Sequence, residues 1–330
     1  MNSDRQQRIF PHALAARLVL QVPRDLIGRS GTMLIAVALC WTFSQARAGE
    51  IEPRSYVNTP VDINFALVGY GYSDGGLSFT SSLPIENAEF EGHSGVLAYV
   101  RTFGVWGSSG KFDMVLPYAE LSGSAQRAGQ LHYRNISGLN DPLFRLSVNF
   151  YGSPALSVKE FAGFQQDLII GASVQVSAPF GQYDPDKLVN LGGNRWFVKP
   201  DIGISKAWGP LTVEVSTGVT FYSDNDDFLG GKTLKQDPLS SSQVHITYSF
   251  GRGVWGALSG TYDYGGRTAV DGIRSDESTR NSRLGVTLAF PVSRKSSIKL
   301  YGSTSMETSL GSDYDLYGVV WQHRWGEGMR

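Results

Sequence analysis

Twelve stretches of this chain alternate apolar and polar residues over lengths that ordinary strands do not reach. In Leu211 to Tyr222, the residues Leu211, Val213, Val215, Val219 and Phe221 fall on one side; Thr212, Glu214, Ser216, Gly218 and Thr220 fall on the other. Successive side chains of a strand point to opposite faces, so one face is apolar and the other polar or small. The twelve stretches are 61–72, 89–105, 110–125, 142–152, 166–180, 195–207, 210–222, 241–251, 254–265, 280–291, 296–306 and 313–325, and most have 11 to 17 residues. An average strand has ~5–6 residues, whereas a tilted strand that crosses a bilayer needs ~9–11. Within hydrocarbon an unpaired strand edge is excluded, so such strands must close on themselves. The expectation is an all-β fold: a transmembrane antiparallel up-and-down β-barrel of twelve strands over residues 61–325, with 326–330 as a short tail.

The connections agree with this. Short ones, Gly107-Ser108-Ser109, Gly209-Pro210, Arg252-Gly253 and Ser293-Arg294-Lys295, interleave with long polar ones at 73–88, 126–141, 181–194, 223–240 and 266–279. Outer-membrane barrels have short periplasmic turns and longer outside loops, and an even strand count puts both termini in the periplasm. The turn 153–165 is the exception, and Ser157 to Gln166 reads as a short amphipathic helix. Trp106, Trp208 and Trp255 sit beside short turns and Trp325 ends the last strand, so an aromatic girdle at one interface is expected. Composition fits: 39 glycines and 12% aromatics suit turns and rims, while only 18% of residues are charged. No run of 18 apolar residues exists to form a spanning helix. A formal charge of -1 leaves no basic excess for nucleic acid.

Residues 1–48 read as a cleaved secretory signal. Arg5, Arg8, Arg17, Arg24 and Arg29 precede the apolar run Met33 to Phe43, and Ala46-Arg47-Ala48 forms a small-x-small site before Gly49. The basic region is long, so either it is extended or the true start lies downstream. Cleavage between Ala48 and Gly49 removes six arginines and two aspartates, shifting the formal charge from -1 to -5, and removes the single cysteine, Cys40. The export route then leads to the outer membrane, with 49–60 as a periplasmic N-terminal segment. The final strand, ending on Trp325, is of the kind that the outer-membrane assembly machinery reads.

Several motifs then suggest a family. They are Gly138-Leu139-Asn140-Asp141-Pro142, Pro179-Phe180-Gly181-Gln182-Tyr183-Asp184, Asn190-Leu191-Gly192-Gly193-Asn194-Arg195-Trp196, Val61-Asp62-Ile63-Asn64-Phe65 and Gly69-Tyr70-Gly71-Tyr72-Ser73. Together, over roughly residues 57–325, they resemble the putative MetA-pathway of phenol degradation family of outer-membrane proteins. The family more often carries a small hydroxyl residue where Phe180 stands. The resemblance implies an outer-membrane channel linked to uptake of aromatic or other hydrophobic compounds.

Alternation assigns Arg101, Asp113, Arg145, Asn149, Lys199, Asp201, Glu214 and His245 to the lumen, because a basic residue facing lipid costs ~2–4 kcal/mol at midplane. These residues form either a charged constriction or a paired network that stiffens the lumen. A twelve-stranded barrel is wider than one its side chains fill and narrower than a sixteen-stranded porin. Its lumen is a small-solute pore, or one partly filled by side chains or the N-terminal segment. The acidic tips Ser223 to Asp227 and Asp184 with Asp186 lack EF-hand spacing and read as turns, so no metal and no cofactor is expected. His245 is followed at two residues by Thr247 rather than Ser, and no Gly-x-Ser-x-Gly elbow appears, so catalysis is not expected. The expected function is passive uptake of a small hydrophobic or aromatic solute, with membrane lipid as surroundings. The rivals are a lipid-hydrolase-like barrel and a structural or adhesion barrel with a closed lumen.

Overall fold

The computed structural model describes residues 51–78, 85–127 and 130–328. The expected signal segment, with Ala48 and Gly49, lies outside them. The elements are β1 (Ile63–Ser78), β2 (Ile85–Val105), β3 (Ser108–Arg127), β4 (Gln130–Leu139), β5 (Leu143–Pro154), α1 (Val158–Phe161), β6 (Leu168–Ser177), β7 (Phe197–Trp208), β8 (Leu211–Tyr222), β9 (Asn225–Phe228), β10 (Lys232–Gln236), β11 (Leu239–Gly251), β12 (Val254–Gly265), β13 (Thr268–Val270), β14 (Ile273–Arg274), β15 (Thr279–Pro291), β16 (Ser296–Thr308) and β17 (Gly311–Gly326).

All twelve expected strands form, and antiparallel pairing runs in sequence order around the wall through β1, β2, β3, β5, β6, β7, β8, β11, β12, β15, β16 and β17. Pairing of β17 with β1, from Ile63↔Gly326 to Ser78↔Gly311, closes the barrel. The phase is as the alternation requires. Leu146, Ile202, Val215, Leu258 and Val286 are each about half exposed on the outside, while Ser147, Ser205, Glu214, Ser259 and Thr287 are buried on the inside. Closure pairs β17 with β1 and so leaves the wall no open edge, which is the condition for standing in hydrocarbon. Two-residue turns such as Trp106-Gly107 and Arg252-Gly253 have positive φ at both positions, matching the right-handed twist of the strands they join.

The outer loops hold more order than expected. β4 lies within the stretch read as a loop at 126–141 and extends a hairpin with the outer half of β3. β5 pairs with the inner half of β3. Between them Asn140-Asp141-Pro142 interrupts one line of the wall, with Pro142 unable to donate to a ladder. β14, β13, β10 and β9 form a separate four-stranded sheet from two other loops, around Phe228, Leu234 and Val270. The expected helix over 157–166 shortens to the single turn α1, held by a capping box between Ser157 and Glu160. Its Glu160 carboxyl sits below the ordinary range because the Ser157 hydroxyl and amide donate to it.

Candidate functional site

The inward charges form two rows across the wall. Strand register places Asp113 beside Arg145, Arg145 beside Gln175, and Gln175 beside Lys199. The second row is Ser205, Glu214, His245 and Ser259. Within the first, Arg145 donates to Gln175 Oε1 at 2.8 Å.

Residues 51–60, read from the sequence as a periplasmic segment and as one candidate for partly filling the lumen, enter the lumen and meet both rows. The backbone amides of Ser55 and Tyr56 donate to the two oxygens of Glu214 at 2.9 and 3.0 Å. Glu52 pairs with Arg145 at 3.3 Å. Burial alone would raise the Glu52 carboxyl; Arg145, Lys299, Lys111 and His245 outweigh it and hold the group below its ordinary value. The buried Tyr56 hydroxyl donates to Asp201, and burial followed by that acceptor pushes it above the usual phenol range. Its ring lies in a notch over two facing glycines: a Cβ on Gly203 would come within 2.2 Å of it, and one on Gly171 within 2.7 Å. Lys111 donates to the Ser55 carbonyl, and Asn58 Nδ2 donates to the Pro154 carbonyl at 3.1 Å. At the rim, Thr102 fixes the exit of the segment: its hydroxyl donates to the Pro60 carbonyl at 2.7 Å and accepts from the Ile63 amide at 3.0 Å.

The segment divides the lumen. At the level of Arg145, Lys199 and His245 about 30 Å³ remains open. On the periplasmic side a cavity of about 450 Å³ lies between the segment and the turns.

The motif residues converge elsewhere, at the wall interruption. Buried Asp141 accepts from the Gly181 amide through one oxygen and the Gly193 amide through the other, both at 2.8 Å. The approach is close enough that a Cβ on Gly181 would sit 2.7 Å from the Asp141 amide nitrogen, and one on Gly192 2.8 Å from the Gly181 carbonyl carbon. Asn190 accepts from the Asp184 amide at 2.9 Å. Asn194 donates to Asn225 at 2.9 Å, and Arg195 lies 4.4 Å over the Tyr222 ring. Trp196 meets Phe180 edge-on at 6.5 Å, both largely exposed. With Pro142 and Pro179 these residues build a corner that replaces missing strand pairing.

The sequence model for the family described as "Putative MetA-pathway of phenol degradation" matches residues 71–314, well over half the chain. The chain belongs to this family. An outer membrane channel from Pseudomonas putida F1 shares the fold with a TM-score of 0.71 at 22% identity, over 84% of this chain and 100% of that one. Looser likenesses join it to the transport unit of the autotransporter AIDA-I from Escherichia coli (TM-score 0.48, 8% identity, 89% and 96% covered). The NanC porin is similarly distant (TM-score 0.44, 8% identity, 78% and 98% covered). None of the curated proteins matches the sequence. This phenol-degradation family member is an outer-membrane barrel: its closed wall and apolar exterior meet both conditions that bilayer imposes.

Two expected placements are corrected. Arg101 does not line the lumen. Thr102 takes the inward phase to hold Pro60 and Ile63, so Arg101 faces outward opposite Asn64, at the rim, 4.0 Å from Asp62. A long basic side chain reaches water from that depth. Trp255 does not join the girdle. It shares the inward phase of Ala257 and Ser259, and Arg54 lies 5.1 Å over its ring. Trp208 and Trp325 do point outward, and Trp106 sits at a turn apex, 98% exposed. Trp325 continues a ladder with His323 and Trp321, at ring separations of 6.1 and 5.8 Å.

Sequence reasoning missed Glu52, Tyr56, Lys111, Lys299 and Ser259. Lys299 was readable, since Ile298 and Leu300 flank it on the lipid phase. The His245–Ser259 contact, 2.8 Å from Nδ1 to the hydroxyl, was not, because it links strands fourteen residues apart. His245 is 2% exposed and Ser259 3%. The acidic tip is used locally: Asp224 pairs with Lys235 at 2.7 Å.

Proposed function

We propose that this protein is a passive channel for small hydrophobic or aromatic solutes, and that residues 51–60 are the element that restricts it. One observation carries the reading. The restriction is a chain segment laid into the lumen and held by side chains, while the wall around it keeps its register. A segment held only by side-chain hydrogen bonds and ion pairs is an obstruction that moves when they break; a lumen filled by wall side chains is not. The family description, which mentions phenol degradation, and the apolar surfaces of Phe65, Leu67, Val100 and Trp255 below the segment support an aromatic or hydrophobic solute. Arg145, Asp201 and Glu214 then act by holding the segment, and with Lys199 they present charges of both signs to any solute that passes.

The hydrolase reading finds its nucleophile and base in Ser259 and His245, but the pair is sealed from both lipid and solute. Lipid hydrolysis abolished by His245→Ala would revive it. The channel reading is tested by planar-bilayer conductance and liposome swelling on the wild type and on a chain lacking residues 51–59. Larger conductance and faster swelling in the shortened chain are expected. Absence of current and of solute flux in both proteins would establish a closed structural barrel instead.

A further inference from the structure

The periplasmic cavity differs in character from the constriction above it. Seven Lys and Arg side chains line it against two acidic ones, Glu52 and Asp113. Both acids lie at its inner end, where Glu52 is paired with Arg145 and Asp113 is beside Arg145 in register. Toward the rim, among the described residues, positive charge is in excess over these two acids. Arg324 donates to a backbone carbonyl, Arg294 O, at 3.1 Å. Arg54 lies over the Trp255 ring, and Lys111 is bonded to the Ser55 carbonyl. Lys299 feels Glu52 electrostatically, but among the described residues it makes no direct hydrogen bond or ion pair. This concentration occurs in a chain whose overall formal charge is -1, so it is local.

The lining also carries an apolar set, Phe65, Leu67, Val100, Trp255 and Val320, beside uncharged polar residues such as Ser297 and Gln322. A volume of about 450 Å³ lies within the ~300–1,000 Å³ of small-molecule sites, which join an apolar lining to a few placed polar groups. A neutral hydrocarbon would leave the cations unanswered, and a small inorganic anion would leave the apolar wall unused. A ligand that satisfies both has an apolar body and one anionic end.

We infer that this cavity binds an amphipathic carboxylate, an aromatic or alkyl body ending in one carboxylate group, with Lys299 as the principal charge partner and Arg324 as the second. The cavity lies beyond the restricting segment, so the carboxylate is held there after passing it and before release to the periplasm. The inference rests on the channel reading for that order of events, whereas binding itself is read at equilibrium without flux.

The test uses the full mature protein in phosphatidylcholine nanodiscs, titrated calorimetrically with decanoate and with 4-butylbenzoate. The corresponding alcohols serve as neutral controls, and partition into empty nanodiscs is subtracted. Both carboxylates are expected to bind saturably and at least ten-fold tighter than their alcohols. Lys299→Gln should weaken carboxylate binding about ten-fold, Lys299→Arg should restore it, and Arg324→Gln should show a smaller loss. Heat-modifiable migration verifies that each variant barrel is folded. Equal affinity for acid and alcohol, signal that does not saturate, or unchanged binding in Lys299→Gln overturns the site. Bilayer conductance of the same samples separates the two readings. Conduction without carboxylate binding sinks this inference alone; saturable binding without conduction sinks the channel and leaves a static ligand site.

Discussion

Glu214→Gln tests the hold on the restricting segment at its centre. Glu214 is 2% exposed, and its two oxygens accept the Ser55 and Tyr56 amides at 2.9 and 3.0 Å. A glutamine keeps one acceptor but turns an NH₂ toward the other amide. One charge-assisted hydrogen bond of ~1.5–3 kcal/mol is lost and a buried donor is left unmatched at ~1–3 kcal/mol. Relief from burying a carboxylate works in the opposite direction, which sets the net loss near ~2 kcal/mol. That corresponds to roughly a thirty-fold rise in the released population. The segment stays mostly docked, because Tyr56–Asp201, Glu52–Arg145 and Asn58–Pro154 persist. Maleimide labelling of Ser55→Cys measures that minor population, since Cys40 is the only native cysteine and falls in the expected signal. With reclosing faster than labelling, the rate follows the open fraction. Labelling about thirty-fold faster in Glu214→Gln is expected, with more frequent high-conductance events. A rate within two-fold of the parent, in a barrel that still shows heat-modifiable migration, would refute the assignment of Glu214 as the anchor.

Gly203→Ala places a Cβ within 2.2 Å of the Tyr56 ring; the variant should fold with Tyr56 expelled, seen as faster Ser55→Cys labelling. Val215 faces lipid and is 50% exposed, so Val215→Arg should cost ~2–4 kcal/mol if it lies near midplane and lower the heat-modifiable fraction. Arg145→Glu, inside the lumen, should leave that fraction intact and shift the reversal potential in a salt gradient toward cations; equal tolerance of both changes would contradict the assigned faces. Glu52 titrates below the ordinary carboxylate range. Its contribution to docking is therefore complete at neutral pH and is lost as pH falls through that depressed value. Acidification should raise the frequency of high-conductance events in the parent and leave Glu52→Gln, already loosened, nearly flat.

What could be read in the sequence follows from where lipid does the selecting. Val215, Ile246 and Leu288 could be assigned because hydrocarbon penalises any break in alternation. That penalty ends at the rims, and so did the reliability of phase. Arg101 follows the small and apolar run Gly95 to Val100, which carries no alternation, and it lies where either face reaches water. Trp255 shows the complementary case, since proximity to a turn gives the level of a residue in the wall but not its face. β4 carries Leu131 and Tyr133 exposed outside the barrel proper, so its composition resembled a polar loop. Tyr56 and Glu52 belong to a segment with no period at all. Their partners, Gly171 facing Gly203 and Glu214 facing His245, become visible only when strand register is known. The Gly/Asp/Pro motifs were legible as a family resemblance, but their role was not: Asp141 bonds amides 40 and 52 residues away.

The anchorage at Thr102 makes the restricting segment a leash with a fixed pivot. Thr102 holds both Pro60 and Ile63, so a pull on residues 51–59 loads these two hydrogen bonds before it loads the β1–β17 seam. At ~3.3–3.6 Å per residue for extended chain, a released leash of this length sweeps about 30 Å below the rim. That is far enough to carry residue 51 clear of the lumen, so the obstruction can be drawn out like a cork on a cord while the wall stays whole.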